Sequence, residues 1–255
     1  GEPGASTTPG WERSGIVALF EPDADIADAI AIAAAACKLS EVPPFTTEAV
    51  AEQNWVQLTQ SQFDPIRVSE RLWIVPSWHD APDPAAINLI LDPGMAFGTG
   101  SHPTTRLCLE WLERSVRPGE SLLDYGCGSG ILAIAGARLG ACPVDGVDID
   151  PQAVLAAEAN AQRNNVSARF FDSNRPIGAS YDRVVANILS NPLKVLAPAI
   201  CGHVRAGGEL ALSGILAEQA EELMAIYSEW IPLHVADSRE GWVCLSGRKP
   251  ESCAC

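Results

Sequence analysis

The stretch Asp124-Tyr125-Gly126-Cys127-Gly128-Ser129-Gly130 decides the fold, set between the apolar pair Leu122-Leu123 and the apolar run Ile131-Leu132-Ala133-Ile134-Ala135. The order reads as strand, loop, helix. Three glycines in five positions let the backbone turn sharply and approach a ligand closely, and the N-terminus of the following helix offers N–H groups with no intrahelical partner. A dinucleotide loop follows G-x-G-x-x-G, whereas here the third glycine comes one residue early, at Gly130, and Ile131 takes its place. A strand-end acid, Asp124, ahead of G-x-G-x-G points instead to S-adenosylmethionine as the cofactor.

The flanking sequence supplies an α/β frame for this loop. Beyond Pro118-Gly119, strand patterns at Ser121–Asp124, Val144–Asp148, Ala168–Phe171, Val184–Asn187, Glu209–Ser213, Leu233–Ala236 and Trp242–Gly247 alternate with helical patterns at Ser129–Leu139, Pro151–Asn164, Pro192–His203 and Ala217–Trp230. This alternation predicts a mainly parallel seven-stranded sheet, Rossmann-like, with helices on both faces and a C-terminal strand pair. Upstream, Leu72–Val75 and Ile87–Leu91 predict a hairpin, and the loop from Asp92 to Thr105 feeds a helix that runs to about Val116. Nearer the start, Gly15–Phe20 reads as a strand, Asp25–Lys38 as a helix and Thr46–Phe63 as a bridging helix.

Ligands of an open parallel sheet bind beyond the carboxyl ends of its strands, which selects three positions here. The glycine loop, Gly126, Gly128 and Gly130 with Asp124, is the first. Asp148, twenty-two residues after Gly126, is the second, and its carboxylate can accept both ribose hydroxyls. Asp150 precedes Pro151 and reads as a helix N-cap rather than a ligand. The third is Asn187 in Val184-Val185-Ala186-Asn187-Ile188-Leu189, whose carboxamide can accept from an amine and donate to the cofactor; the plainer reading is an Asn that ends a strand. The glycine- and hydroxyl-rich loop with Phe97, Thr99, Ser101, Thr104 and Thr105 can close over a bound cofactor, and His102 within it reads as a cap or packing residue rather than a base.

Composition narrows the class. The chain has 255 residues, 47% hydrophobic and 19% charged, and a net charge of −15, which disfavours binding to nucleic acid and favours a basic partner or simply a solvated acidic surface. Residues 1–63 hold two basic and nine acidic side chains, nearly half of that net charge. Eight cysteines occur without a C-x-x-C pair or a zinc-spaced His cluster, so they read as reduced thiols of a cytoplasmic protein, and no metal is expected. The longest apolar stretch, Ala29 to Cys37, is far short of the ~20 residues of a membrane span, and no secretory signal pattern opens the chain.

These motifs together resemble the PrmA family, methyltransferases that modify a protein of the large ribosomal subunit. The likeness runs from about Trp55 to Lys249 through R-L-W-I-V-P-S-W (71–78), L-D-P-G-M-A-F-G-T-G-S-H-P-T-T (91–105), D-Y-G-C-G-S-G-I-L-A-I-A (124–135), G-V-D-I-D-P-Q-A (146–153), V-V-A-N-I-L (184–189) and L-S-G-I-L (212–216). The resemblance implies a class I methyltransferase domain at 64–255, a linker helix at 52–63 and a small ferredoxin-like N-terminal domain at 1–51, which is expected to lack the family's first strand and helix. It implies that S-adenosylmethionine is bound through Thr105, Asp124, Gly126, Gly128, Gly130, Asp148, Asn187, Gly98 and Thr99, and that Asn187 and Phe97 lie at the methyl-transfer centre. The expected substrate is a basic ribosomal protein methylated on lysine ε-amines and its N-terminal α-amine, by a monomer bound to neither nucleic acid nor membrane. Another protein or small amine as substrate, and a nucleotide-binding module or nicotinamide oxidoreductase, stay open as alternatives.

Overall fold

The computed structural model describes residues 18, 20, 24–39, 41–47, 63–92, 102–173, 177–178 and 180–251. The chain divides into two compact units, 1–53 and 54–255. Among the described residues of the first, the regular element is α1 (Ile26–Ala36), whose N-cap Asp25 accepts a hydrogen bond from the Asp28 amide at 3.1 Å. The strand expected at Gly15–Phe20 falls largely outside the described residues, as does the linker helix at 52–63.

The second unit is built on an apolar strand run that is buried on both sides. Strands β4 (Leu122–Tyr125), β5 (Val144–Asp148), β6 (Arg169–Asp172), β7 (Tyr181–Asn187), β8 (Val204–Leu216), β9 (His234–Arg239) and β10 (Trp242–Arg248) form one sheet in the order β6-β5-β4-β7-β8-β10-β9. The first five of these neighbours pair in parallel, and β10 inserts antiparallel between β8 and β9. Period-two alternation divides the side chains between the faces. Leu122, Val185, Ala211 and Cys244 enter one core with α2 (Pro103–Ser115) and α3 (Ile131–Arg138). Leu123, Val184, Leu212 and Leu245 enter the other with α5 (Ser190–His203) and α6 (Ala220–Tyr227). Burying each of the Leu and Val side chains is worth about 1.5–3 kcal/mol, so the two-faced pattern fixes register as well as stability.

The hairpin expected upstream is corrected by the structure. β2 (Leu72–Val75) and β3 (Ile87–Ile90) pair in parallel, Leu72 with Ile87 through Val75 with Ile90, while β1 (Ile66–Arg67) pairs antiparallel with β2. Local alternation gives a strand's faces but not its direction, and residues 76–86 are long enough to carry the chain back to the same end. The free edge of β3 is held by a side chain: Asn164, at the C-cap of α4 (Pro151–Arg163), accepts from the Ile90 amide at 2.7 Å and donates to the Ile90 carbonyl at 2.8 Å. Its amide thus stands in for a strand partner. Among the described residues no helix is long and apolar enough to cross a membrane.

Replacing Asn164 by Ala leaves both Ile90 backbone groups unpaired in a site where Asn164 is 2% exposed. A loss of about 1–3 kcal/mol in urea unfolding is expected; an unchanged midpoint refutes the strand-partner role.

Candidate active site

Polar groups collect where β4, β5 and β7 end, because these neighbouring parallel strands all point the same way. Asp124, Asp148 and Asn187 occupy their carboxyl ends, with Asp124 paired to Val185 across β4 and β7 and Asn187 paired to Ser213 across β7 and β8. The crevice lies between β4 and β7, where the strand order reverses.

The glycine loop is locked onto β5. Gly126 and Cys127 both donate to the Val147 carbonyl, at 2.8 and 2.9 Å, and Gly128 donates to Asp148 Oδ2 at 2.8 Å. Asn160 of α4 donates to the Ser129 carbonyl at 2.9 Å from behind. Gly126 has φ +80, and a Cβ there would fall on Ile188 Cγ2, so both conformation and close approach demand glycine. Gly130 is the N-cap of α3 and makes no side-chain cap bond; of the first-turn N–H groups, that of Ala133 is taken up by Asp124. Ile131 is 3% exposed and enters the core, so the early third glycine starts the helix where a dinucleotide loop would still be turning.

The three carboxyl positions differ sharply in environment. Asp124 is fully buried; Oδ2 accepts from the Ala133 amide at 3.0 Å, and Oδ1 has no hydrogen-bond partner. Burial pushes its pKa up to about 7, opposed by the Ala133 hydrogen bond and reinforced by the Asp148 charge. Asp148 accepts from Gly128 through Oδ2 and from Asp150 through Oδ1, the latter at 3.0 Å, so each oxygen keeps a lone pair for a hydroxyl. Asp150 caps α4 by accepting from the Gln152 amide at 2.9 Å. Cys127 is held as a neutral thiol by burial and by the two carboxylates beside it, so it offers no thiolate nucleophile.

Across the crevice, Asn187 Nδ2 donates to Thr105 Oγ1 at 3.3 Å. Thr105 is fully buried in the first turn of α2, a helix started by Pro103 and by His102, whose Nδ1 accepts from the Thr104 amide at 3.3 Å. His102 also packs edge-on against Trp242, a capping and packing role. Thr105, Asp124, Gly126, Gly128, Gly130, Asp148 and Asn187 therefore converge on one end of the sheet. Phe97, Gly98 and Thr99 lie outside the described residues. The apolar pattern ends β6 at Phe171, whereas the strand continues to Asp172, which pairs in register with Asp148 at the carboxyl end of the sheet. An acid directly after Phe170-Phe171 was the available signal. These residues suit S-adenosylmethionine: paired acceptors on Asp148 and an unmatched buried carboxylate oxygen on Asp124, beside a loop whose Gly126 and Gly130 pack directly against Ile188 and Ala157.

Known proteins resemble this chain over nearly its whole length. A profile of ribosomal protein L11 methyltransferase (PrmA) matches residues 2–250. The ribosomal protein L11 methyltransferase of Dechloromonas aromatica is 73% identical over 250 residues, covering 98% of this chain and 84% of that protein. That of Cupriavidus taiwanensis is 59% identical over 251 residues, with 98% and 84% covered. A solved ribosomal protein L11 methylase from Lactobacillus delbrueckii subsp. bulgaricus superposes with a TM-score of 0.69 at 31% identity, over 74% of this chain and 100% of that one. With its glycine loop, its strand-end acids and its crevice at the strand-order reversal, the chain belongs to the ribosomal protein L11 methyltransferase (PrmA) family.

Proposed function

We propose that this chain methylates amines of ribosomal protein L11, at lysine ε-amines and the N-terminal α-amine, with S-adenosylmethionine as methyl donor. The observation that carries the reading is the Asn187–Thr105 hydrogen bond facing the glycine loop across the switch point. With Nδ2 committed to Thr105, Asn187 Oδ1 is left to accept from an incoming amine. Asp148 takes the ribose hydroxyls. Gly126, Gly128 and Gly130 admit the donor against their backbone, and Asp124, once ionised above its raised pKa of about 7, places negative potential beneath the donor's cationic end. Phe97, Gly98 and Thr99 are assigned to the methyl path and donor by their place in the family loop that leads into α2.

The donor supplies a methyl on a sulfonium, which makes a good leaving group. The protein's own work is to hold nitrogen, methyl carbon and sulfur in line and to exclude water. The amine must arrive neutral although its ordinary pKa is ~10.4, and its proton is assigned to water before attack. The acidic surface of the chain, −15 overall, favours a lysine-rich partner. A cytoplasmic setting, one protomer at a time and without nucleic acid, is part of the same proposal; the six described cysteines are free thiols.

Incubation with unmethylated ribosomal protein L11 and donor is expected to add 14-Da steps by intact mass, roughly one per methyl. No added mass, with S-adenosylhomocysteine still bound, rejects the substrate. Stabilisation by NAD instead of S-adenosylhomocysteine rejects the cofactor.

Asp148→Ala is expected to weaken S-adenosylhomocysteine roughly a hundredfold by calorimetry, from the loss of about 3 kcal/mol of charged hydrogen bonding. Unaltered affinity removes Asp148 from the site. Asn187→Ala is expected to keep that affinity within several-fold while turnover drops roughly a hundredfold; full turnover rejects its orienting role.

Asp124 makes a pH prediction. Folding raises its pKa from the ordinary ~3.9 to about 7, so the folded chain binds a proton that the unfolded chain releases. This group's contribution to stability is complete below about pH 4 and is lost as pH rises through about 7. Urea unfolding across that window is expected to show the slope in the parent chain and not in Asp124→Asn. Equal slopes in the two proteins refute it.

A further inference from the structure

The motif L-S-G-I-L (212–216) puts Ser and Gly between apolar residues near the carboxyl end of β8. Its pairing with β10 explains the interruption. β8 advances three residues from Leu212 to Ile215 while β10 advances two from Val243 to Leu245, so Ser213 and Gly214 together face Cys244 as a β-bulge. Ser213, fully buried, fixes the bulge by donating from Oγ to the Val243 carbonyl at 2.9 Å. Gly214 has φ +85, a conformation that favours glycine.

The bulge sits where β7 leaves the sheet. The β7–β8 register ends at Asn187 opposite Ser213, so Gly214 lies against the next peptide. A Cβ on Gly214 would fall on the Ile188 carbonyl oxygen, 2.7 Å from its carbon and 3.2 Å from the Ile188 nitrogen. On the other side, a Cβ on Gly126 would fall on Ile188 Cγ2. Ile188 is therefore held between the β8 bulge and the glycine loop, and it is bonded directly to Asn187.

We propose that Gly214 is a positioning residue: its bare α-carbon seats the Ile188 peptide and thereby sets how far the Asn187 carboxamide stands from the glycine loop, a role that rests on the methyl-transfer reading above. In-line transfer is sensitive to such placement, since about 1 Å of displacement costs roughly a hundredfold in rate. The seat acts on the amine end of the site and leaves the ribose end at Asp148 untouched. A role in packing alone would lower stability without separating turnover from cofactor affinity.

The control is built into the fold. Gly119 shares the φ of +85 but has nothing within 4 Å of a Cβ, so Gly119→Ala carries the backbone cost without the collision. Both Gly119→Ala and Gly214→Ala are expected to melt lower than the parent and to bind S-adenosylhomocysteine within about threefold of it by calorimetry. Turnover per calorimetrically competent site on ribosomal protein L11 is expected to stay level in Gly119→Ala and to fall roughly ten- to a hundredfold in Gly214→Ala, with the donor KM little changed. Ile188→Ala, which removes Cγ2 from the Gly126 side without adding an atom, is expected to show the same split and keeps the test decisive if Gly214→Ala does not fold. Parent-level turnover in the folded Gly214→Ala protein, or in Ile188→Ala where Gly214→Ala does not fold, overturns the proposal. Absence of turnover in the parent chain overturns the substrate reading and this proposal with it; an active parent and an equally active Gly214→Ala overturn this proposal alone.

Discussion

Parallel pairing between β4 and β7 is the constraint on which the site depends. It aligns Leu122, Leu123 and Asp124 with Arg183, Val184 and Val185, while β5 occupies the other side of β4 in the same direction. The chain winds outward from β4 to β6 and then returns to the opposite side of β4. The segments leaving β4 and β7 consequently depart to opposite faces, α3 into one core and α5 into the other. A crevice opens between them, and the residues just past each strand end line it. The apolar burial that stabilises the sheet is therefore also what aims Asp124, Asp148 and Asn187 at a common space.

Much of this was legible locally. The glycine spacing at 126, 128 and 130, the acid at 148 and the lone carboxamide in Val184–Leu189 each sit within a few residues of their own strand end, so local pattern was enough. What escaped was non-local. The direction of β3 relative to β2 depends on how residues 76–86 travel, which alternation does not encode. The value of Ser213-Gly214 depends on Ile188 and on the count of residues in β10, both distant in sequence. Asp172 closes β6 one residue beyond where the apolar pattern ends.

The two ends of the sheet treat carboxylates differently. At the amino ends, Asp145 is gripped by Arg169 at 2.7 Å and by the Tyr181 hydroxyl at 2.6 Å, and Asp182 pairs with Arg205. Burial works against the Asp182 charge, yet its Ser121 hydrogen bonds and the Arg205 and Arg183 charges hold its pKa below the usual range. At the carboxyl ends, Asp124 and Asp148 receive backbone N–H groups rather than arginines. Carboxylates at the amino ends are met by arginines, whereas those at the carboxyl ends are met by backbone N–H groups, with the Asp124 pKa pushed up to about 7 by its burial.

The Asn164 clasp on β3 has a further consequence for behaviour in a crowded cell. β3 is the outer strand of a three-stranded sheet, and an open outer strand is a template for intermolecular pairing and aggregation. By occupying both the donor and the acceptor of Ile90, a single side-chain amide removes the rung that a foreign strand would need to dock there. One asparagine at a helix end thus serves as an insulating cap on the sheet, protecting solubility as well as shape.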